Sequence, residues 1–233
     1  LLAIEYSDLD QTYVVYQFKV RHANIINYNY IIVDLQSGRS AIVDPAWNMG
    51  LITSIFREIG TEPDIVLLTH SHYDHVNLVD EFTECYDVKV YMSRMEISNY
   101  GFASQNLIPV EDEDIIHLGG TSITCLLTPG HTAGGMSFLL KGSMFTGDTV
   151  FIEGCGVCDM PGGSPEQMFS SIQKIKRLVS PSVRIFPGHS FGKEPGYPIS
   201  YLLENNMYFL IDEQSHFVNF RMRKNQKHVF DFK

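Results

Sequence analysis

The sequence predicts an α/β fold, built as one domain over residues 1–233 with a C-terminal helical extension from residue 198 packed on it. Three observations carry that prediction. Segments rich in β-branched and aromatic residues open the chain, segments with apolar residues at helical spacing alternate with later strands, and Ile65 to Leu68 is a short, wholly apolar run of the kind shown by a strand buried on both faces.

Tyr13 to Val20, Asn24 to Val33 and Ser40 to Val43 read as strands, with Gly38 marking a tight turn. Asn48 to Ile59 has helical spacing, Gly60 as its stop and Pro63 beyond it. The Ile65 run ends in Thr69-His70, so polar side chains emerge at its carboxyl edge, where open α/β sheets place their sites. A helix is expected over Val76 to Tyr86 and strands over Val88 to Met92, Ser122 to Leu127, Met136 to Leu140 and Ser143 to Thr146. Ser164, Pro165 and Glu166 supply an N-cap, a first-turn proline and an early acid for a helix running to Val179. A strand from Val183 to Phe186 then leads into Pro187-Gly188-His189, and helices over Ile199 to Asn206 and Asp212 to Lys224 close the chain.

Composition narrows the class. With 44% hydrophobic and 19% charged residues, the chain has the material for a sizeable core and is not disordered. A formal net charge of -10 repels a phosphate backbone, and no long Lys/Arg run offsets it, so nucleic acid is not an expected partner. The densest basic stretch, Arg221, Arg223, Lys224 and Lys227, reads as a solvated helix face. No apolar run approaches the roughly 18 residues of a membrane span, so no membrane partner is expected. The chain begins at Leu1 rather than Met, and whether residues precede it is open. Four cysteines are too few for a disulfide scaffold: Cys85 and Cys125 lie among apolar residues and are expected buried, Cys155-x-x-Cys158 stands alone, and a reducing cytoplasm fits best.

The segment that carries chemistry is His70-Ser71-His72-Tyr73-Asp74-His75, four potential ligands in six residues directly after a buried strand. Imidazole and carboxylate are the common ligands of zinc and of non-haem iron or manganese, and a loop can turn alternate side chains toward two neighbouring ions. One such histidine is more often structural; four ligands together are not. His131, Asp148 and His189 each follow a strand and sit beside glycine, which permits the tight turn that points a side chain inward over strand ends. His22, His117, His216 and His228 have no ligand-like neighbours and read as structural or surface residues.

The HxHxDH cluster, the later His131, the Gly147-Asp148-Thr149 aspartate and the Pro187-Gly188-His189 histidine, in this order, resemble the metallo-β-lactamase superfamily, and more closely its glyoxalase II branch. The resemblance runs from about Tyr13 to His189 and includes Asp44 in Ile42-Val43-Asp44-Pro45 and the Gly154-Cys155-Gly156 after the aspartate's strand. It implies a four-layer αβ/βα sandwich, two mixed sheets flanked by helices, with metals at one edge. It further implies that His70, His72 and His131 hold one ion, that Asp74, His75 and His189 hold a second, that Asp148 bridges them, and that Asp44 orients a ligand from behind. The expected cofactor is two zinc ions per chain, with iron or manganese as alternatives.

Coordination lowers the pKa of water from about 15.7 to about 7 and polarises a carbonyl, so a metal-bridging hydroxide removes the need for a Ser or Cys nucleophile, of which no motif is present. Asp74 and Asp148 are the carboxylates placed at that chemistry. A thioester suits it because the leaving thiol, with a pKa near about 8.5, departs without strong acid help. Glyoxalase II enzymes continue their GCG with residues that hold glutathione, whereas here Gly156 is followed by Val157, Cys158 and Asp159. Asn77 stands where a glycine commonly follows the cluster and is expected to reshape the pocket wall, and Tyr73 either faces substrate or packs. Asp74-His75-Val76-Asn77, the Gly154-Cys155-Gly156-Val157-Cys158 insert and Gly192-Lys193-Glu194-Pro195-Gly196 are most similar to the stand-alone hydrolases of bacterial polyketide (antibiotic) biosynthesis clusters, which implies an acyl thioester on an acyl carrier protein or coenzyme A. Hydroxyacylglutathione hydrolysis, persulfide oxygenation at one iron held by two His and one Asp, phosphodiester cleavage and a non-catalytic binding role are the competing readings.

Overall fold

The computed structural model describes residues 3–7 and 11–224; Lys227 of the basic stretch and His228 lie outside them. The first sheet takes its strands in chain order: β1 (Ile4–Tyr6), β2 (Tyr13–His22), β3 (Ile25–Asp34), β4 (Ser40–Val43), β5 (Pro63–Leu67), β6 (Lys89–Ser93) and β7 (Leu107–Val110). Its first three pairings are antiparallel and its last three parallel, so the sheet is mixed. The second sheet contains β8 (Ile115–Leu118), β9 (Thr121–Leu127), β10 (Met136–Leu140) and β11 (Ser143–Gly147); a small hairpin of β12 (Val150–Phe151) and β13 (Gly154–Cys155) follows, then β14 (Arg184–Pro187) and β15 (Tyr197–Pro198) complete the sheet in the order β15-β14-β11-β10-β9-β8.

Period-two alternation sorts the strands between two cores. Tyr30 and Ile32 of β3 point into the space between the sheets with Phe138 and Phe145, while Ile31 and Val33 pack on the helical side against Ile52, Ile55 and Phe56. Those three residues belong to α1 (Met49–Ile59), which Asn48 starts by accepting the Leu51 N–H and Gly60 ends in the left-handed region, φ 82°. The predicted buried strand is β5, whose Ile65, Val66 and Leu67 are all buried. A third apolar layer lies outside the second sheet, under α5 (Pro165–Leu178), α6 (Ile199–Asn205), α7 (Met207–Leu210) and α8 (Gln214–Arg221). Helices, sheet, sheet, helices: this is the four-layer α/β sandwich.

Departures from the expected elements have local causes. The helix expected over Val76 to Tyr86 is two pieces, α2 (Tyr73–Val76) and α3 (Val79–Cys85), because the Asn77 side chain donates to the Tyr73 carbonyl and accepts the Trp47 N–H, spending the turn on those bonds. The helix α4 (Arg94–Tyr100) was not expected, although Ser93-x-x-Glu96 carries the capping-box spacing and Gly101 stops it in the left-handed region. Cys85, expected to be buried, is exposed at the end of α3, whereas Cys125 is buried. Arg221, placed in advance on a solvated face, is buried and donates to the Tyr208 hydroxyl at 3.2 Å. His22, His117 and His216 are surface residues. No helix among the described residues is long and apolar enough to cross a membrane.

Candidate metal centre

The structure draws the candidate ligands from four segments at one edge of the two sheets. His70, His72, Asp74 and His75 follow β5, His131 follows β9, Asp148 follows β11 and His189 follows β14. Glycine makes this convergence sterically feasible in two ways. Gly130 and Gly147 turn with φ 140° and 48°, conformations that a side chain would strain. Gly188 instead supplies space: a Cβ there would lie 2.5 Å from His75 Cε1 and 2.8 Å from Asp148 Oδ1.

Two trios result. The ligand atoms of His70, His72 and His131 lie within 4.8 Å of one another, and so do those of Asp74, His75 and His189. Within the first trio, His72 Nδ1 is 3.1 Å from His70 Nε2 and 3.0 Å from His131 Nε2. Zn–N bonds of about 2.0–2.1 Å in tetrahedral array put ligand nitrogens about 3.3 Å apart, so this face already has nearly the spacing of a filled site. Asp148 stands between the trios, with Oδ2 3.6 Å from His131 Nε2 and 3.5 Å from His189 Nε2. Its Oδ1 is 3.5 Å from His75 Nε2, and both of these atoms are buried without a protein hydrogen-bond partner. Buried polar atoms are rarely left this way, and a shared cation satisfies both. The donor set and its geometry therefore fit a metal.

His75, His131 and His189 each have their outward nitrogen held. His75 Nδ1 donates to Asp44 Oδ2 at 3.0 Å, His131 Nδ1 to the Val157 carbonyl at 2.7 Å and His189 Nδ1 to the Ile26 carbonyl at 2.6 Å. With Nδ1 engaged outward, it is Nε2 of each ring that faces inward. Asp44, in the left-handed region at φ 48°, also accepts the Thr69 N–H and hydroxyl at 2.8 and 2.6 Å, tying the loop root to a ligand. Burial pushes the His70 imidazole well below its usual value, and the neighbouring His75 and His131 push it further. Burial also opposes charge on His75, but Asp74, Asp148 and Asp44 outweigh it and raise that imidazole to about 10. The Asp74 carboxyl is held far below the usual range despite its burial, by His75, His189 and the Asn27 hydrogen bond.

Two residues that the sequence reading missed complete the frame. Glu96 is fully buried; its Oε1 accepts the Ser71 N–H and hydroxyl, and its Oε2 accepts the Gly134 N–H. One carboxylate thus clamps the loops that bear His70, His72 and His131. Asn27 donates to Asp74 Oδ2 at 3.1 Å while accepting the Trp47 indole N–H, which aims the Asp74 carboxylate.

A cavity of about 660 Å³ opens beside the ligands. Tyr73 and Val157 line it; Tyr73 is 73% exposed at its rim, edge-on to Trp47. Asn77 and Cys158 are not on its wall: Asn77 braces the loop behind, and Cys158 is buried under α5. Cys155 and Cys158 are free thiols, and burial pushes Cys158 up to about 11, which keeps it protonated at neutral pH.

Residues 25–189 match the metallo-beta-lactamase superfamily. The chain belongs to that superfamily. Within it, the chain is 53% identical over 225 residues to a protein of Bacillus subtilis (strain 168) named "Probable polyketide biosynthesis zinc-dependent hydrolase PksB", covering 97% of this chain and all of that one. A hydroxyacylglutathione hydrolase of Erwinia tasmaniensis is 40% identical over 153 residues, spanning 65% of this chain and 57% of its own length. The fold superposes on the crystal structure of ETHE1 from Myxococcus xanthus with a TM-score of 0.80 at 22% identity, over 92% of this chain and 94% of that one. The superfamily fold is the one the motifs implied.

Proposed function

We propose that the chain is a dinuclear zinc-dependent hydrolase that cleaves an acyl thioester carried on an acyl carrier protein or coenzyme A, in polyketide biosynthesis. The observation that carries this reading is the pair of three-ligand faces meeting at Asp148, with His75 Nε2 and Asp148 Oδ1 buried and unpartnered by protein. The 53% identity to PksB supports zinc as the metal and polyketide biosynthesis as the setting.

Zinc would be held by His70, His72 and His131 and by Asp74, His75 and His189, with Asp148 within reach of both sets, and when bound would supply a water of lowered pKa and polarise a carbonyl. The chain's own residues do the rest. Asp148 and Asp74 line the cavity, so their carboxylates face the space in which the thioester carbon sits. Asn27 holds Asp74 in that orientation. A C–O bond forms as the C–S bond breaks, giving a carboxylic acid and a thiol, and the thiol's pKa of about 8.5 makes an acid catalyst unnecessary.

Hydroxyacylglutathione hydrolysis is the second reading, favoured by Arg221 and Arg223 lining the same cavity, where an anionic tripeptide thiol finds positive charge. Metal analysis together with thiol release from acyl-glutathione, acyl-coenzyme A and acyl-carrier substrates separates these. Nearly two zinc per chain with preference for carrier or coenzyme A thioesters is the expected result. A preference for glutathione thioesters selects the second reading, and one iron per chain with oxygen consumption on a persulfide refutes both.

A further inference from the structure

We propose that the cavity beside the metal centre is an acyl pocket, selecting an uncharged, apolar acyl chain of several carbons. The proposal rests on thioester hydrolysis as the reaction and names what that reading leaves open, the chemistry of the acyl group. Large apolar side chains left in solvent are usually scattered singly; clustered ones mark a binding surface. Here four of the exposed ones, Ile25, Tyr73, Met160 and Met207 at 38%, 73%, 42% and 52% exposure, line this one cavity. Val157 and Phe220 line it as well, and so do the candidate metal ligands His72, Asp74, His131, Asp148 and His189. A chain lying on the apolar wall therefore has its carboxyl end at the ligands.

Charges on the wall have protein partners. Glu153 accepts from the Tyr201 hydroxyl at 2.7 Å, Arg221 donates to Tyr208, and Arg223 donates to the Phe220 carbonyl and stacks at 4.0 Å over its ring. An alkyl chain needs none of these groups. At about 660 Å³ the cavity is in the range of small-molecule sites, roughly 300–1,000 Å³. Met207 and Tyr208 of α7 and Phe220 and Arg221 of α8 belong to the wall, so the C-terminal helices contribute to acyl selectivity without supplying a metal ligand.

Acyl chemistry is isolated from the carrier by keeping the thiol constant, in S-acetyl-, S-butyryl-, S-hexanoyl- and S-succinyl-N-acetylcysteamine assayed with the zinc-loaded protein. Each buried methylene is expected to raise kcat/KM about threefold to fourfold, so hexanoyl should exceed acetyl by about a hundredfold, with succinyl far below. Met207→Glu, at a half-exposed rim position where folding tolerates charge, should lower the hexanoyl-to-acetyl ratio at least tenfold. Calorimetry with the non-hydrolysable S-hexyl-N-acetylcysteamine reports binding without turnover, and its affinity should fall in the same variant. Thiol release with no dependence on chain length, or a succinyl preference, overturns the pocket while leaving thioester hydrolysis standing. Failure to release thiol from any thioester overturns the hydrolysis reading, and in that case the pocket stands or falls on whether the S-hexyl compound binds.

Discussion

Replacing Asp44 by Asn separates the negative charge behind the metal centre from the shape of the loop that bears it. Asn tolerates the left-handed backbone that Asp44 adopts at φ 48°, so the main chain is preserved. The hydrogen bonds are not. Asp44 accepts three: the Thr69 N–H on Oδ1, and the Thr69 hydroxyl and His75 Nδ1–H on Oδ2. An amide offers one oxygen. If its NH2 group takes the Oδ2 place, His75 must move its proton to Nε2, and the lone pair that faces Asp148 is lost. If its NH2 group takes the Oδ1 place, it opposes the Thr69 N–H and loosens the root of the His70 loop. Either arrangement weakens a ligand. Loss of such an outer partner costs about 10- to 100-fold in metal affinity, or about 1.4 to 2.7 kcal/mol. The assay is zinc affinity by competition with a chromophoric chelator, with circular dichroism to establish that both proteins are folded. Zinc affinity in Asp44→Asn within twofold of the parent would refute the argument that Asp44 sets the His75 tautomer.

Asp148→Ala should abolish thioester turnover, lowering kcat at least about a thousandfold, because one carboxylate serves both ligand faces; steady-state thiol release checks it. Gly188→Ala should fold yet lose metal, since the new Cβ would stand 2.5 Å from His75 Cε1, and metal content by mass spectrometry reads the loss. Glu96→Gln leaves one of the buried donors, the Ser71 or Gly134 N–H, facing an amide NH2, at a cost of about 1–3 kcal/mol and a fall of several degrees in the melting temperature. Chelator treatment should lower the melting temperature of the parent, and zinc should restore it in a concentration-dependent way, as linkage requires for an ion that binds only the folded chain.

The candidate metal ligands were legible because their chemistry is dense in sequence and their turns are marked by glycine. His70 to His75 needs no alignment to stand out, and Gly130, Gly147 and Gly188 flag the three distant partners, although the last acts through space rather than backbone. The residues that frame the site were not legible. Glu96 and Asn27 work through contacts with Ser71 and Asp74 that lie 25 and 47 positions away, and nothing local distinguishes them from a helix-start glutamate and a strand asparagine. Arg221 was misplaced for a related reason: its buried surroundings come from Tyr208 and the α5–α8 layer, which only tertiary packing assembles. The same limit explains Asn77, whose side chain closes a turn instead of facing the pocket.

The distribution of these parts bears on how one scaffold serves different substrates. Every candidate ligand sits at a strand end or on the short loop and α2 turn behind β5, and each outward nitrogen of His75, His131 and His189 is anchored to a loop or strand of the two-sheet core. Changes there are costly, because a ligand displaced by even a fraction of an ångström leaves a buried polar atom unpaired. The cavity wall is built differently. Met160, Met207 and Phe220 come from the α5 approach and the last two helices, and they can be exchanged without touching the ligands or their partners. A superfamily member can therefore change its acyl group or its thiol by remodelling the C-terminal helices while the two-sheet core keeps its chemistry. On that argument, the ligands set what the centre can bind, and the wall residues are where one substrate is told from another.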